Sequence, residues 1–270
     1  MDHVTEIRSL VTVLLGSSSF HALIIQSEPG WGKSTSVEVS LRQAGKSFVA
    51  VGSYTTPLAL FRTLQENPDK LIVMDDCSGA FADNRSIAVL KAACWTAAGS
   101  DGHRNVRWES TSSQISENMV TFVGKIIFLV NAIPENIEAN ALVSRSLCYR
   151  IRLSEEDKCN LLTQAAQNPS LYANPEVASK VLRVLIRELR EFPEALNFRS
   201  LRIAYEIAES APEHWEAMFL LTLPNQDPLR VMSNLAKNGL PVEQQARRFS
   251  ELTGLSRRSF FLYRQRVKAT

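Results

Sequence analysis

One glycine-rich segment constrains the fold of this chain more than any other feature. It consists of Ser27-Glu28-Pro29-Gly30-Trp31-Gly32-Lys33-Ser34-Thr35, between the apolar run Ala22–Ile25 and the helical pattern Lys33–Gln43. Glycines let the backbone curl so that successive N–H groups point at one anion, and the following helix adds its N-terminal partial charge. The order of strand, loop and helix predicts a phosphate-binding loop at this position.

The spacing is that of the Walker A pattern G-x-x-x-x-G-K-[ST], with Ser27 at the place of the first glycine. A small residue is tolerable there if its φ is not strongly positive. Lys33 is expected to reach the β- and γ-phosphates of ATP, and the Ser34 hydroxyl to ligate Mg²⁺. The residues predicted to bind the nucleotide are Pro29, Gly30, Trp31, Gly32, Lys33, Ser34 and Thr35.

A second candidate site follows the apolar run Leu71–Met74, which ends in Asp75 and Asp76. Asp75 is predicted to hold Mg²⁺, because hard cations prefer oxygen ligands. Asp76 is predicted to orient and deprotonate the attacking water. Glu is usual at that second place and is one methylene longer, so slow hydrolysis is expected. The alternative is an acidic cap after a buried strand.

The remaining pattern up to residue 153 alternates continuous apolar runs with amphipathic stretches. This pattern predicts an α/β fold with a parallel sheet and helices on both faces, in three layers. Between residues 97 and 124 the pattern changes, and two short strands around a polar link predict a hairpin insert at about 104–122. Strands are expected at 22–25, 48–51, 71–74, 125–130 and 148–153, and helices at 4–15, 33–43, 57–65 and 85–95.

From Ser154 onward the strand patterns disappear and only helices are predicted. They are expected at about 155–166, 175–190, 198–209 and 213–221, before a Pro- and Asn-containing break at 223–228. The predicted domains are a P-loop domain over 1–153, a helical lid over 154–223 and a small all-helical domain over 224–270.

The order of these motifs resembles that of the AAA+ ATPase family over about residues 1–210. The resemblance implies that Asn131, after the apolar run 125–130, is the first sensor, which hydrogen-bonds the attacking water. It implies that Arg145 is an arginine finger for the neighbouring subunit's γ-phosphate, and that Arg199, or alternatively Arg202, is the second sensor in the lid. Each of these residues also has an ordinary interpretation, as a strand-end turn residue or a solvated helix charge.

Two further expectations depend on the resemblance. An arginine finger that acts on a neighbour requires a ring hexamer or a helical oligomer, because no single subunit completes its own site. AAA+ proteins that thread nucleic acid often carry a hairpin at the place of the insert, where Arg104, Arg107 and Trp108 would offer charge and a stacking surface. The alternative is a hairpin that packs on its own sheet, with Trp108 in the core.

The C-terminal segment is strongly basic. Residues 241–270 contain six Arg and one Lys against two Glu, a net charge of +5, so the other 240 residues carry −3 of the overall +2. A helix over 242–252, a turn at Thr253-Gly254-Leu255 and a helix from Ser256 to Val267 resemble a helix-turn-helix, with Leu255, Phe260 and Tyr263 between the helices. The predicted DNA-binding residues are Arg257, Arg258, Arg264 and Arg266, together with Arg107 of the insert. The alternative is a packing helix pair with a solvated basic surface.

These motifs predict an oligomeric, DNA-stimulated ATP hydrolase that remodels or moves DNA, as a replication initiator, helicase or helicase loader. Its partners would be DNA, other copies of itself, and a helicase, recombinase or other replication protein. One alternative is an ATP-switched regulator of transposition or recombination that targets DNA. Another is a protein remodeller whose basic tail binds an acidic protein.

Location is predicted from what the sequence lacks. The four cysteines are scattered without metal-site spacing, which indicates reduced thiols in a cytoplasmic protein. No signal peptide is recognisable, and no apolar stretch approaches 18 residues, so no membrane association is expected.

Overall fold

The computed structural model of the chain describes residues 3–52, 55–96, 101–108, 118–188, 195–222, 228–237 and 239–268. The chain divides into two compact units, an N-terminal unit of residues 1–152 and a C-terminal unit of residues 153–270. The tip of the predicted insert at 109–117 and the predicted boundary between 223 and 224 lie outside the described residues. The division into three domains stays a prediction.

Helices and strands alternate along the N-terminal unit as the apolar pattern predicts. In chain order they are α1 (His3–Gly16), β1 (Ala22–Gln26), α2 (Lys33–Gln43), β2 (Phe48–Val51), α3 (Pro57–Glu66), β3 (Leu71–Asp75), α4 (Ser78–Ala82), α5 (Asn84–Cys94), β4 (Arg104–Arg107), β5 (Met119–Phe122), β6 (Lys125–Val130), α6 (Ile137–Val143) and β7 (Leu147–Arg150). Thr56, Asp83 and Asn136 begin α3, α5 and α6, because each side chain accepts a hydrogen bond from an N–H in the first turn.

Five of these strands form a parallel sheet in the order β2-β3-β6-β1-β7. Alternate residues of the central strands, such as Ile24, Met74 and Phe128, are buried in one cluster with Phe61 of α3 and Leu90 of α5. On the other side, α1 packs against β1 and α2. The predicted three-layer α/β fold is confirmed. The carboxyl ends of parallel strands meet at one edge, so the segments after β1, β3 and β6 are neighbours.

The two short strands of the insert, β4 and β5, pair antiparallel outside the main sheet. Val106 and Val120 lie opposite each other in this pair and are buried in the same cluster as the sheet. The Trp108 ring packs against the ring of Phe61, with 5.9 Å between the ring centroids. The described part of the insert therefore packs on its own domain.

The C-terminal unit contains helices and no strands in the residues that the structure describes. Its helices are α7 (Glu155–Ala166), α8 (Pro175–Glu188), α9 (Phe198–Ser210), α10 (Trp215–Thr222), α11 (Pro228–Lys237), α12 (Val242–Thr253) and α13 (Arg257–Lys268). Helices α7 to α10 pack on one another, and α11, α12 and α13 share a separate core around Phe249 and Phe260. The predicted helical C-terminal region is confirmed. None of the described helices has the length and apolarity that a membrane crossing requires.

Candidate nucleotide site and C-terminal helix pair

The loop between β1 and α2 has the backbone that a phosphate-binding loop needs. Gly30 and Gly32 have φ of 83° and 75°, values that glycine adopts without strain. Gly32 is the N-cap residue of α2, and it has no side chain that could accept a hydrogen bond from the N–H groups of the first turn. Among the described residues other than glycine, only Asp76 has a positive φ, so Ser27 meets the condition set for a small residue at the first glycine position.

Lys33 lies at the first position of α2 and is buried, with 8% of its surface exposed. Its ammonium group donates to Oδ1 of Asn131 at 2.6 Å and is 3.5 Å from the carbonyl oxygen of Ser27. The Asn131 amide in turn donates from Nδ2 to Oδ1 of Asp76 at 3.4 Å. The structure thus brings together three predicted site residues, from the segments after β1, β3 and β6, in one chain of hydrogen bonds.

Asp76 has a left-handed backbone with φ of 53°, and its N–H donates to the carbonyl oxygen of Leu129 at 3.0 Å. Asp adopts the left-handed region more readily than most residues, but holding a non-glycine residue there still costs about 1–3 kcal/mol in backbone strain. Both Asp75 and Asp76 are exposed at the edge of the sheet. Burial raises the pKa of the adjacent Cys77 thiol to about 12, so the thiol stays neutral beside the two carboxylates.

Trp31 is placed differently from the other loop residues. Its side chain is buried, with 1% exposed, and its carbonyl oxygen accepts a hydrogen bond from Nε2 of His3 at 3.1 Å. A nucleotide would therefore contact Trp31 through the backbone and not through the indole. The aromatic side chain instead contributes to the core of the N-terminal unit.

A cavity of about 340 Å³ opens at the carboxyl ends of β1, β6 and β7. Its lining includes Ser27 and Glu28 of the loop, Asn131, and Arg150 and Arg152 at the end of β7. Its volume is within the range of small-molecule sites. Arg150 and Arg152 were not among the predicted site residues. Their alternation with Tyr149 and Ile151 at the end of a strand could have indicated that they lie at the sheet edge beside the site.

The structure does not join Arg145 to this group. Its Nη1 donates to the carbonyl oxygen of Ala141 at 2.7 Å, and its guanidinium lies 5.7 Å from the centre of the Trp95 ring. Neither of these two contacts of Arg145 involves Lys33, Asn131 or Asp76. The predicted action of Arg145 on a neighbouring subunit stays a prediction.

The two candidate second sensors lie in the C-terminal unit. Arg199 is exposed in the first turn of α9, which Asn197 caps through its side chain. Arg202 donates to the carbonyl oxygen of Leu171 at 3.1 Å and pairs with Glu206. The choice of Arg199 over Arg202 stays a prediction.

Helices α12 and α13 form the pair that the basic segment predicts. Gly254 ends α12 with φ of 69°, and its N–H donates to the carbonyl oxygen of Ser250 at 2.9 Å. Leu255, Phe260 and Tyr263 lie in the shared core. Of the four arginines of α13 that were predicted to bind DNA, Arg257, Arg258 and Arg266 are exposed and Arg264 is partly buried.

The insert exposes fewer charged and aromatic side chains to a nucleic acid than its composition suggested. Arg104 is 2% exposed, donates to the carbonyl oxygen of Gly124, and lies 5.1 Å from the centre of the Phe122 ring. Burial lowers the pKa of Arg104 to about 10. Trp108 packs against the core, so the interpretation of Arg104 and Trp108 as an exposed contact surface was wrong. Arg107 is exposed.

No protein-family model matches this chain, and no curated protein resembles it in sequence. Among solved structures, the Holliday junction branch migration motor RuvB of Thermotoga maritima is similar, with a TM-score of 0.51 and 10% identity over 96% of this chain and 86% of that chain. Two point mutants of RuvB give the same values. The replication initiator DnaA, bound to AMPPCP and single-stranded DNA, reaches a TM-score of only 0.45 at 11% identity. The likeness to RuvB concerns the fold alone, and it agrees with the three-layer P-loop α/β fold that the sequence predicts.

Proposed function

We propose that this protein is an ATP hydrolase of the AAA+ type that acts on DNA. The observation that carries the proposal is the chain of hydrogen bonds from Lys33 through Asn131 to Asp76, at the edge of the sheet where the glycine loop ends. A cation, an amide and a carboxylate are the groups that ATP hydrolysis uses to bind phosphate and to position water. Their convergence from three segments supports a catalytic site over a plain strand-to-helix turn.

The residues present fit ATP with Mg²⁺. Within the described residues, no group of three His, Cys, Asp or Glu side chains could hold a metal ion alone. Ser34 and Asp75 would share the ion with phosphate oxygens, as is usual for Mg²⁺. When bound, Mg²⁺ would neutralise charge on the phosphates. Lys33 would hold the phosphates, Asn131 would orient the attacking water, and Asp76 would accept its proton.

DNA is the proposed partner of the C-terminal unit. Arg257, Arg258 and Arg266 are exposed on α13, the second helix of a helix-turn-helix-like pair, within a segment of net charge +5. RuvB, whose fold is similar, is a Holliday junction branch migration motor. Both observations support a protein that remodels or moves DNA, as a replication initiator, helicase or helicase loader.

Oligomerisation is part of the proposal, because Arg145 would complete the site of a neighbouring copy. A mixing experiment tests it. Subunits carrying Arg145→Ala and subunits carrying Asp76→Asn should both be inactive alone, and a mixture should regain activity at the sites that combine an intact Asp76 with a neighbour's intact Arg145. Absence of rescue at every mixing ratio would contradict a finger that acts between subunits.

The nucleotide site is tested by Lys33→Ala, with Lys46→Ala as the matched control. Lys46 follows α2 and is exposed, so its loss should leave nucleotide binding unchanged. Lys33→Ala should abolish ATP binding and DNA-stimulated hydrolysis, both measured on folded protein. Retained ATP affinity would exclude the loop as the phosphate site.

A further inference from the structure

The outward surface of α13 is not uniformly basic. Two rows at i, i+4 spacing follow this surface, and every member of both rows is exposed. One row is Arg257, Phe261 and Gln265, and the other is Arg258, Leu262 and Arg266. The opposite side of the helix carries Phe260, Tyr263 and Val267, which pack in the core with α11 and α12. The outward surface therefore has polar or charged groups at both ends and two apolar side chains between them.

The two apolar side chains are not needed to build this core. Phe261 is 39% exposed and Leu262 is 53% exposed, whereas Phe260 beside them is fully buried. Single exposed apolar residues are ordinary on protein surfaces. Two adjacent ones at the centre of a basic helix surface indicate a ligand that is anionic at its margins and apolar at its centre.

The aromatic ring is held in place before any ligand arrives. The Phe261 ring lies edge-on to Phe260, with 5.0 Å between centroids, and the Arg257 guanidinium lies 5.6 Å from its centre. Arg257 is itself paired with Glu243 of α12 at 2.5 Å. A contact that needs no reordering of these side chains loses little conformational entropy on binding.

The major groove of duplex DNA matches this arrangement. It admits an α-helix, and from residue 257 to residue 265 the helix rises about 12 Å, enough to pass several base edges. Phosphates at the groove margins match Arg257 and Arg266. The apolar group that bases present in the major groove is the 5-methyl group of thymine.

We propose that Phe261 and Leu262 contact thymine methyl groups, so that this protein selects duplex sites with thymine beside the bases reached by Arg258 and Gln265. The proposal rests on the DNA binding proposed above and deepens it. Arg258 and Gln265 have the side chains that pair with guanine and adenine edges. The selected sites should therefore combine those bases with thymine.

The test compares thymine with uracil, which pairs identically and lacks only the methyl group. Full-length protein selects duplexes from a random 40-bp pool, and the selected duplexes are resynthesised with deoxyuridine in place of thymidine. Burial of one methyl group corresponds to about a fourfold change in affinity. Loss of two contacts should weaken binding about tenfold or more.

Variants connect this effect to the two side chains. Leu262→Ala and Phe261→Ala should each reduce the difference in binding affinity between thymine-containing and uracil-containing duplexes. The double variant should abolish that difference. Leu262→Ala serves as the second variant because Phe261→Ala also removes a contact to Arg257. Met218→Ala is the control, since Met218 is 46% exposed on α10 and should leave the difference intact.

Three outcomes would overturn the proposal. Equal wild-type affinity for both duplexes would refute methyl contact and leave the proposed DNA binding standing. Absence of any duplex binding would refute both. If the double variant keeps its preference for thymine but changes its sedimentation coefficient, Phe261 and Leu262 form a protein interface and not a contact with bases.

Discussion

Asn131→Ala is expected to tighten ADP binding while it reduces hydrolysis. In the structure the Lys33 ammonium donates to the Asn131 amide oxygen at 2.6 Å, so this oxygen competes with a phosphate for one of the three N–H donors of Lys33. A hydrogen bond to a charged group contributes about 1.5–3 kcal/mol. Removal of the competing oxygen should therefore raise ADP affinity by about tenfold to about a hundredfold. ADP lacks the γ-phosphate, so Asn131 has no compensating role in its binding.

The assay is titration calorimetry of Mg-ADP with wild type, Asn131→Ala and the control Asn160→Ala. Asn160 is exposed on α7 of the C-terminal unit, so its loss should leave ADP affinity unchanged. The ligand-free Asn131→Ala variant should also unfold more easily, since the buried ammonium loses its hydrogen bond to the Asn131 oxygen. Unchanged or weaker ADP binding by Asn131→Ala would refute the idea that Asn131 competes with phosphate for Lys33.

Two predictions concern the stability of the N-terminal unit. Gly124→Ala should destabilise it by about 3 kcal/mol or more in urea unfolding, because the new Cβ would lie 2.0 Å from the backbone oxygen of Lys70. Gly79→Ala, with open space around it, is the control, and equal stability of the two variants would contradict the reasoning. Burial, aided by Arg104, lowers the pKa of His21 from 6.5 to about 4, so the folded state resists the proton that the unfolded state accepts. The free energy of unfolding should fall by at most about 1.4 kcal/mol per pH unit as the pH drops from 6.5 to 4, and His21→Asn should remove that part of the slope.

The sequence was sufficient to place the strands and the first helix after the loop. Predicted bounds agree with the structure at Lys33–Gln43, Phe48–Val51 and Lys125–Val130. These elements are recognisable because a strand covered on both sides must be apolar throughout, and because its first polar residues stand where the chain emerges at the sheet edge. Asp76 and Asn131 were therefore predictable as neighbours from two separate strand ends.

The short helices and the long-range contacts were not predictable in the same way. Helix α4 has five residues and α6 has seven, too few turns to show a helical period. The bond from Lys33 to Asn131 joins residues 98 apart, and no local pattern encodes it. One of the two interpretations of the insert placed the charge of Arg104 at the surface, where arginine usually lies, whereas here its guanidinium is buried and donates to the carbonyl oxygen of Gly124.

The hydrogen bonds around Asn131 connect two tasks that the sequence motifs treat separately. One side of its amide holds the cation that would bind phosphate, and the other side holds the carboxylate that would activate water. A phosphate that displaced the Asn131 oxygen from Lys33 would leave the amide able to turn away from Asp76 towards the new ligand. Asp76 would then be released only when nucleotide is present. In Asn131→Ala the affinity for ADP should therefore rise while the rate of hydrolysis falls. Lys33→Ala cannot separate the two quantities, because it removes nucleotide binding and hydrolysis together.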